Sequence, residues 1–494
     1  MIIRAGGMIW GMSMGALAWV TRRSGVFWLA VVAAGFAVTQ VALIPLDVFQ
    51  SWDEVVYVSQ FSQHAPDLTP SPHRAPGMAF LLAPVTAVTS SFTVIRGYLT
   101  VVSALGLFLA FRPWLAVDAR VAPLAALLFA FSSEVLLIAH LALPNLYTAL
   151  TAVATVAFFV RAVEGAGEWR ALVGVAGSLG LMSLVRPTDA VFLAVPLFAA
   201  CVVVRRWRRV GPPVAVLAGL GIGGVAWLVE ALVRFGGPVT RLAGMQTITD
   251  AGSDPLVSQW AASIAAQAAT APLPTLALGV GWAAAVVVTV AVVRGVCGGW
   301  PRPVWVLTLV ASAGLILPYF LLLSYASDRY LLPAQCVLVV VAAAALVRLV
   351  RSSVGSRRNV VAGAAAIAVL LYTGVQVVAA FDRAPGSLAV RQARQGYAER
   401  IGEHGISPPC VVSGYQAPAL AYALGCEAGD NLSALASANW QREFRRDQRR
   451  AQREDARFVT VLFGERPPDG VAGWPRIRLN EEAPIYAYFA PSRP

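Results

Sequence analysis

The chain has 494 residues, 58% of them hydrophobic and only 13% charged, with a mean hydropathy of +0.67. That is too apolar for a soluble protein and describes a polytopic α-helical membrane protein. The net charge of +12 does not point to nucleic acid, because every basic residue is Arg and the arginines fall in short gaps between apolar runs, where they report topology.

Residues 1–25 read as a cytoplasmic lead. The apolar run Met8 to Val20 has the look of a signal peptide, but Arg22 and Arg23 follow it where retention inside is favoured, so a frayed or amphipathic lead is expected instead. A window of about 20 residues then finds apolar segments at 26–46, 93–111, 121–140, 146–163, 171–185, 188–204, 212–233, 274–293, 303–323, 331–350 and 359–380. These make about eleven transmembrane helices, the fifth and sixth short. With the N-terminus inside, the inner gaps collect most of the arginines, among them Arg22, Arg23, Arg112, Arg120, Arg205, Arg206, Arg208, Arg209, Arg351, Arg357 and Arg358. The outer gaps hold only Arg74, Arg96, Arg186, Arg234, Arg241 and Arg329. The bias predicts a cytoplasmic N-terminus and an extracytoplasmic C-terminus in the cytoplasmic (inner) membrane.

A transmembrane domain at 26–380 therefore carries outer loops at 47–92 and 234–273, and residues 381–494 form an extracytoplasmic α/β domain. Short apolar runs at Cys410-Val411-Val412 and Phe458 to Phe463 read as strands, Ala417 to Leu424 as a helix, and the charged run 441–455 as a solvated helix. Cys201, Cys297 and Cys336 fall in or beside spans as small apolar residues, whereas Cys410 and Cys426 share the external domain, where an oxidising compartment favours a disulfide.

The first outer loop concentrates the polar chemistry. Asp53 and Glu54 stand at the end of a span, followed by Tyr57, His64, Asp67, His73 and Arg74 and by an apolar run too short and too broken by Pro to cross the membrane. Each residue alone reads as part of a wet loop; together they describe a loop folded back onto the membrane surface. Glu134, His140, Asn145, Arg186, Asp189, Asp328, Arg329 and Tyr330 lie at outward span ends, and such groups are costly in a membrane unless paired or facing a wet cavity. The lesser alternative for such groups is intramembrane ion pairing, for example Arg186 with Asp189. A reaction that needs carboxylates and arginines beside lipid is sugar transfer from a polyprenyl phosphate. A carboxylate takes the proton of the acceptor hydroxyl, and a guanidinium grips the departing phosphate. A transporter or flippase of lipid-linked sugar is the alternative, since buried Arg and Asp also serve ion pathways.

With Asp53-Glu54 and Tyr57, the HRAPG segment His73 to Gly77, LVRPTD around Arg186, and RYLLPA from Arg329, the chain resembles the GT-C superfamily of membrane glycosyltransferases, which includes protein O-mannosyltransferases and the lipid A aminoarabinose transferase. The resemblance implies an undecaprenyl- or decaprenyl-phosphate sugar donor, inversion at the anomeric carbon, and an envelope glycan, lipid or protein as acceptor. It implies Asp53 as base with Glu54 as partner or substitute; Arg74, Arg329 and Arg186 as donor-phosphate contacts; and Tyr57, His73, Asp328 and Tyr330 as substrate contacts. Some relatives bind a divalent metal through several carboxylates, but Asn145 stands where a second acid is expected, which leaves a metal cofactor open.

Overall fold

Apolar runs become helices here because a backbone removed from water must satisfy its own N–H and C=O groups within the segment. The computed structural model describes residues 3–43, 45–47, 50–64, 66, 68, 72–165, 169–249, 301–322, 327–429 and 440–491. The expected span at 274–293, residues 250–273 of the outer loop at 234–273, Asp67 and Cys297 lie outside the described residues.

The helices are α1 (Ile3–Leu43), α2 (Trp52–Val58), α3 (Gly77–Thr86), α4 (Phe92–Phe111), α5 (Val121–Ala130), α6 (Ser133–Ile138), α7 (Pro144–Glu164), α8 (Trp169–Val185), α9 (Pro187–Val203), α10 (Gly211–Arg234), α11 (Pro238–Thr249), α12 (Arg302–Leu322), α13 (Leu332–Ser352) and α14 (Ser356–Glu403). Among the described residues six helices are long and apolar enough to cross a membrane, and shorter apolar helices pack between them, so the chain is a multi-pass membrane protein. Of the six, α7 is the most enclosed, packed on α8, α13 and α4. Small side chains and hydroxyls knit the bundle, as expected where no hydrophobic force separates helix from lipid. Gly223 of α10 lies against Ser183 of α8, whose hydroxyl donates to the Gly219 carbonyl at 2.9 Å, and the Trp114 indole donates to the Val153 carbonyl at 3.0 Å.

Two elements differ from the sequence reading. The segment expected as one span at 121–140 is two short helices, broken where Ser132 turns extended and the Ser133 N–H donates to the Gln376 side chain of α14 at 2.8 Å. The last apolar segment does not end near 380 but continues as one helix, through Pro385, to Glu403. This long helix carries the chain from the bundle directly into the C-terminal sheet.

That sheet has the order β2-β1-β3-β5-β4, with β1 (Cys410–Gly414) parallel to β2 (Glu427–Ala428) and β3 (Arg457–Phe463), and with β5 (Ile485–Phe489) antiparallel to β3 and to β4 (Arg476–Arg478). Helix α15 (Ala417–Leu424) and the end of α14 cover one face, and α16 (Trp440–Arg453) covers the other. Cys410 and Cys426 are joined by a disulfide that ties the start of β1 to the end of α15. Cys201 and Cys336 are buried.

The apolar segment after Arg74 is the ten-residue helix α3, and its first residue decides where the loop sits. A Cβ on Gly77 would stand 2.5 Å from the carbonyl carbon and oxygen of Leu184, so only glycine lets α3 press onto the end of α8, one turn from Arg186. Gly77→Ala is expected to cost about 1–3 kcal/mol, the usual range for overpacking, read as a lowered thermal midpoint in detergent. An unchanged midpoint would mean that α3 and α8 do not meet this closely.

Candidate active site

Helix α2 begins after Ser51, whose extended backbone caps it, and Glu54 reaches back to accept the Ser51 N–H at 2.9 Å. Successive side chains on a helix diverge by about 100°. Adjacent carboxylates therefore face different surroundings, and here the difference is complete.

Asp53 faces a cavity of about 70 Å³ that is also lined by Tyr57, His73, Arg74, Asn145, Arg186, Arg329 and Tyr330. Its two oxygens are held by two arginines, Oδ1 by Arg74 Nη2 at 2.6 Å and Oδ2 by Arg329 Nη2 at 2.9 Å. A second Arg74 nitrogen donates to the Asp53 carbonyl at 3.1 Å, and its guanidinium lies over the rings of Trp52 and Tyr57. Burial pushes the Asp53 carboxyl up, but Arg74 and Arg329 outweigh it and hold the group below its ordinary value. His73, at the cavity wall, is pushed down to about 4 by partial desolvation and by the charges of Arg74 and Arg186, so it is neutral at pH 7. The segment bearing His73 and Arg74 is fixed from behind by Arg241 of α11. This fully buried guanidinium pairs with Glu230 at 2.9 Å and donates to the carbonyls of Pro72 and Arg74 at 3.0 and 2.7 Å.

Arg186 comes to the cavity by a separate route. It follows α8, caps α9, and donates to the Tyr319 hydroxyl at 2.7 Å, which in turn donates to Asp189 at 2.6 Å. Tyr319 and Tyr330 stack at 5.1 Å, nearly parallel, and the Arg186 guanidinium lies over both. Asn145 donates to the Arg329 carbonyl at 3.2 Å, bracing the short 3-10 turn Asp328–Leu331.

Glu54 does not line the cavity. It is 1% exposed and meets Arg96, also 1% exposed, at 3.1 Å and Arg391 of α14 at 2.8 Å, while accepting the Ala142 N–H at 3.3 Å. Against the upward push of burial, Arg96 and Arg391 hold its carboxyl far below the usual carboxylate range. Asp328, too, stands outside the lining, at the start of its 3-10 turn. Glu134 pairs with Arg383 at 3.2 Å, and His140 is buried. Arg96, read from sequence only as a topological charge, together with Arg391, Arg241 and Tyr319, is a functional neighbour that sequence reasoning missed. The only signal for Arg96 and Arg241 was their place among the few outer arginines, and for Arg391 and Tyr319 there was none.

The donor set does not fit a divalent ion. Among the described residues no group of three or more His, Cys, Asp and Glu is placed to hold one, and a dication at Asp53 would meet two guanidiniums already on its oxygens. A second cavity, of about 340 Å³, adjoins the first through Ala75. Its walls are mostly apolar, with Phe61, Pro76, Ala79, Phe80, Val229 and Val233, and Gln60, Glu230 and Arg234 supply its polar positions.

Residues 73–227 match the family model of dolichyl-phosphate-mannose-protein mannosyltransferase. No curated protein matches the chain. Among solved structures the chain is similar to ArnT from Cupriavidus metallidurans bound to undecaprenyl phosphate, at 13% identity with a TM-score of 0.67, over 94% of this chain and 98% of that one. It is also similar to the Archaeoglobus fulgidus oligosaccharyltransferase in complex with Zn and sulfate, at 14% identity with a TM-score of 0.50, over 87% of this chain and 68% of that one. The resemblance to the GT-C superfamily read from the loop motifs is thus met by a family model over part of the chain and by the fold over most of it.

The two carboxylates make unequal predictions. Removing one partner of a buried ion pair costs about 3–5 kcal/mol, so Glu54→Ala is expected to lower the thermal midpoint by many degrees, and Asp53→Asn, at a more exposed pair, by clearly less. Equal midpoints would show that Glu54 is no keystone. The folded Glu54 ionises below its ordinary value of 4.5, so its stabilisation is whole above that pH and is lost as pH falls below it. Acid unfolding followed by tryptophan fluorescence should show this loss in the wild type and not in Glu54→Gln.

Proposed function

We propose that the protein transfers a monosaccharide from a polyprenyl-phosphate donor to an acceptor hydroxyl at the outer face of the cytoplasmic membrane, with inversion and with Asp53 as general base. The observation that carries this reading is one carboxylate and three guanidiniums around a small polar cavity that shares Ala75 with a larger apolar one. The polar cavity suits a phosphate and the apolar one an isoprenoid chain. The fold shared with membrane glycosyltransferases and the family match over 73–227 support the same reading.

In the reaction the acceptor oxygen attacks the anomeric carbon from the face opposite the phosphate. Its proton passes to the Asp53 carboxylate, the bond from carbon to the phosphate oxygen breaks, and the electron pair leaves on the phosphate. Arg74, Arg329 and Arg186 stabilise that growing charge, which is where preorganised cations contribute most. His73, neutral at working pH, serves as a hydrogen-bond partner rather than a charge. Tyr57 and Tyr330 line the cavity and contact the sugar, while Glu54 positions α2 from behind. The acceptor is an envelope glycan, lipid or protein hydroxyl reaching the site from the side of the C-terminal domain.

Purified protein in membranes that supply the acceptor, given radiolabelled polyprenyl-phosphate sugars, is expected to form product from one donor. Asp53→Asn should lower the rate by about 10²–10⁴-fold, the usual worth of a positioned base. Label carried across vesicles without a new glycosidic bond would replace this reading with a transporter.

A further inference from the structure

Resting on that reading and deepening it, we propose that Asp53 is the resting occupant of the donor-phosphate site: the phosphate of the incoming donor replaces it on Arg74 and Arg329, and only this exchange frees the carboxylate to act on the acceptor.

Both oxygens of Asp53 are engaged, each by a different arginine, and those arginines arrive from segments more than 250 residues apart in the chain. Arg74 and Arg329 thus share Asp53 as their common carboxylate, whereas Arg186 is held by Asp189 and the Tyr319 hydroxyl instead. Carboxylate and phosphate oxygens are read by the same planar fork of N–H donors, so the two anions compete for it directly. A carboxylate so held is a poor base. One whose arginines have turned to a phosphate keeps its negative charge with less to stabilise it, and takes a proton more readily.

The exchange conserves charge through the cycle. The donor phosphodiester brings one negative charge, the same as the carboxylate it displaces. When the new glycosidic bond forms and the old bond to phosphate breaks, the acceptor's proton neutralises Asp53 while the phosphate gains a second negative charge and stays on the arginines. Loss of that proton to water restores the carboxylate, which takes back Arg74 and Arg329 as the spent lipid phosphate leaves. Donor binds before acceptor, and a lone acceptor meets an inactive base.

The test is the affinity of undecaprenyl phosphate for the full-length protein in lipid nanodiscs, for wild type, Asp53→Asn, Asp53→Ala, Arg74→Gln and Arg329→Gln, with thermal midpoints to confirm folding. Exchange predicts binding about tenfold tighter in both Asp53 variants, because the competitor is gone, and at least about tenfold weaker in either Arg variant. The alanine variant guards against an asparagine that still bridges the two arginines or fails to fold. Unchanged or weaker binding in both Asp53 variants, with Arg74→Gln and Arg329→Gln still weaker than wild type, would make Asp53 a mere brace and overturn the exchange while leaving the donor reading intact. No binding by wild type, or binding indifferent to both arginines, would overturn the donor reading and the exchange together.

Discussion

The site depends on the burial of Glu54. A carboxylate can sit in a membrane protein's interior only if its charge is answered, and here it is answered from two directions: by Arg96 of α4, inside the bundle, and by Arg391 of α14, beyond it. The pair of contacts fixes the face that α2 turns inward, and the helical twist then leaves the neighbouring Asp53 no choice but the cavity. One residue fixes the helix and the next faces the cavity. The arrangement explains how a partly exposed carboxylate can be held within hydrogen-bond distance of two arginine side chains without being part of the buried core itself.

The same logic makes the C-terminal part of the chain a brace for the loop that carries Asp53 rather than an appendage. The apolar cluster beneath α2 draws on α2, α3, α4 and α8 and takes in Ala419 and Tyr422 of α15. The Tyr422 hydroxyl bonds Ser62 at 3.1 Å, and its ring meets those of His64 and Phe92. With Arg391 on Glu54, two independent tethers join the loop that carries Asp53 to elements more than 300 residues later in the chain. Such contacts are long in sequence and cost loop-closure entropy to form, and the chain meets that cost at the place where a misplaced carboxylate would be most damaging to function.

What was legible in the sequence follows the range of the interactions involved. Helix positions were readable because hydropathy is a local property: the segments expected at 146–163, 171–185, 188–204 and 212–233 coincide with α7 to α10 to within two residues at each end. The helix from Ala417 and the strand near Cys410 were readable for the same reason. The break at Ser132 was not, because it depends on Gln376, a side chain far along the chain. Nor was the length of α14, since its polar half loses the hydropathy signal while its helical hydrogen bonding continues. Within the site, Asp53, Tyr57, His73, Arg74, Arg186, Arg329 and Tyr330 were named from residue type and location, and the fold brings them together. Their division of labour was beyond the sequence: nothing in the pair Asp53-Glu54 says which faces the cavity, because that is decided by Arg96 and Arg391.

Arg is the only cationic side chain available to this protein, besides His. The cavity shows a consequence. Each of its guanidiniums is used in two ways at once, as a charge and as a flat surface: Arg74 over Trp52 and Tyr57, Arg186 over Tyr319 and Tyr330, Arg329 over Tyr330. An ammonium has no flat face to stack and is more strongly hydrated, so it would resist desolvation against aromatic walls. Stacked guanidiniums keep their edges, where the N–H donors lie, directed at whichever anion occupies the cavity. The proposed exchange of carboxylate for phosphate would take place at these same edges, with little movement of the arginines themselves.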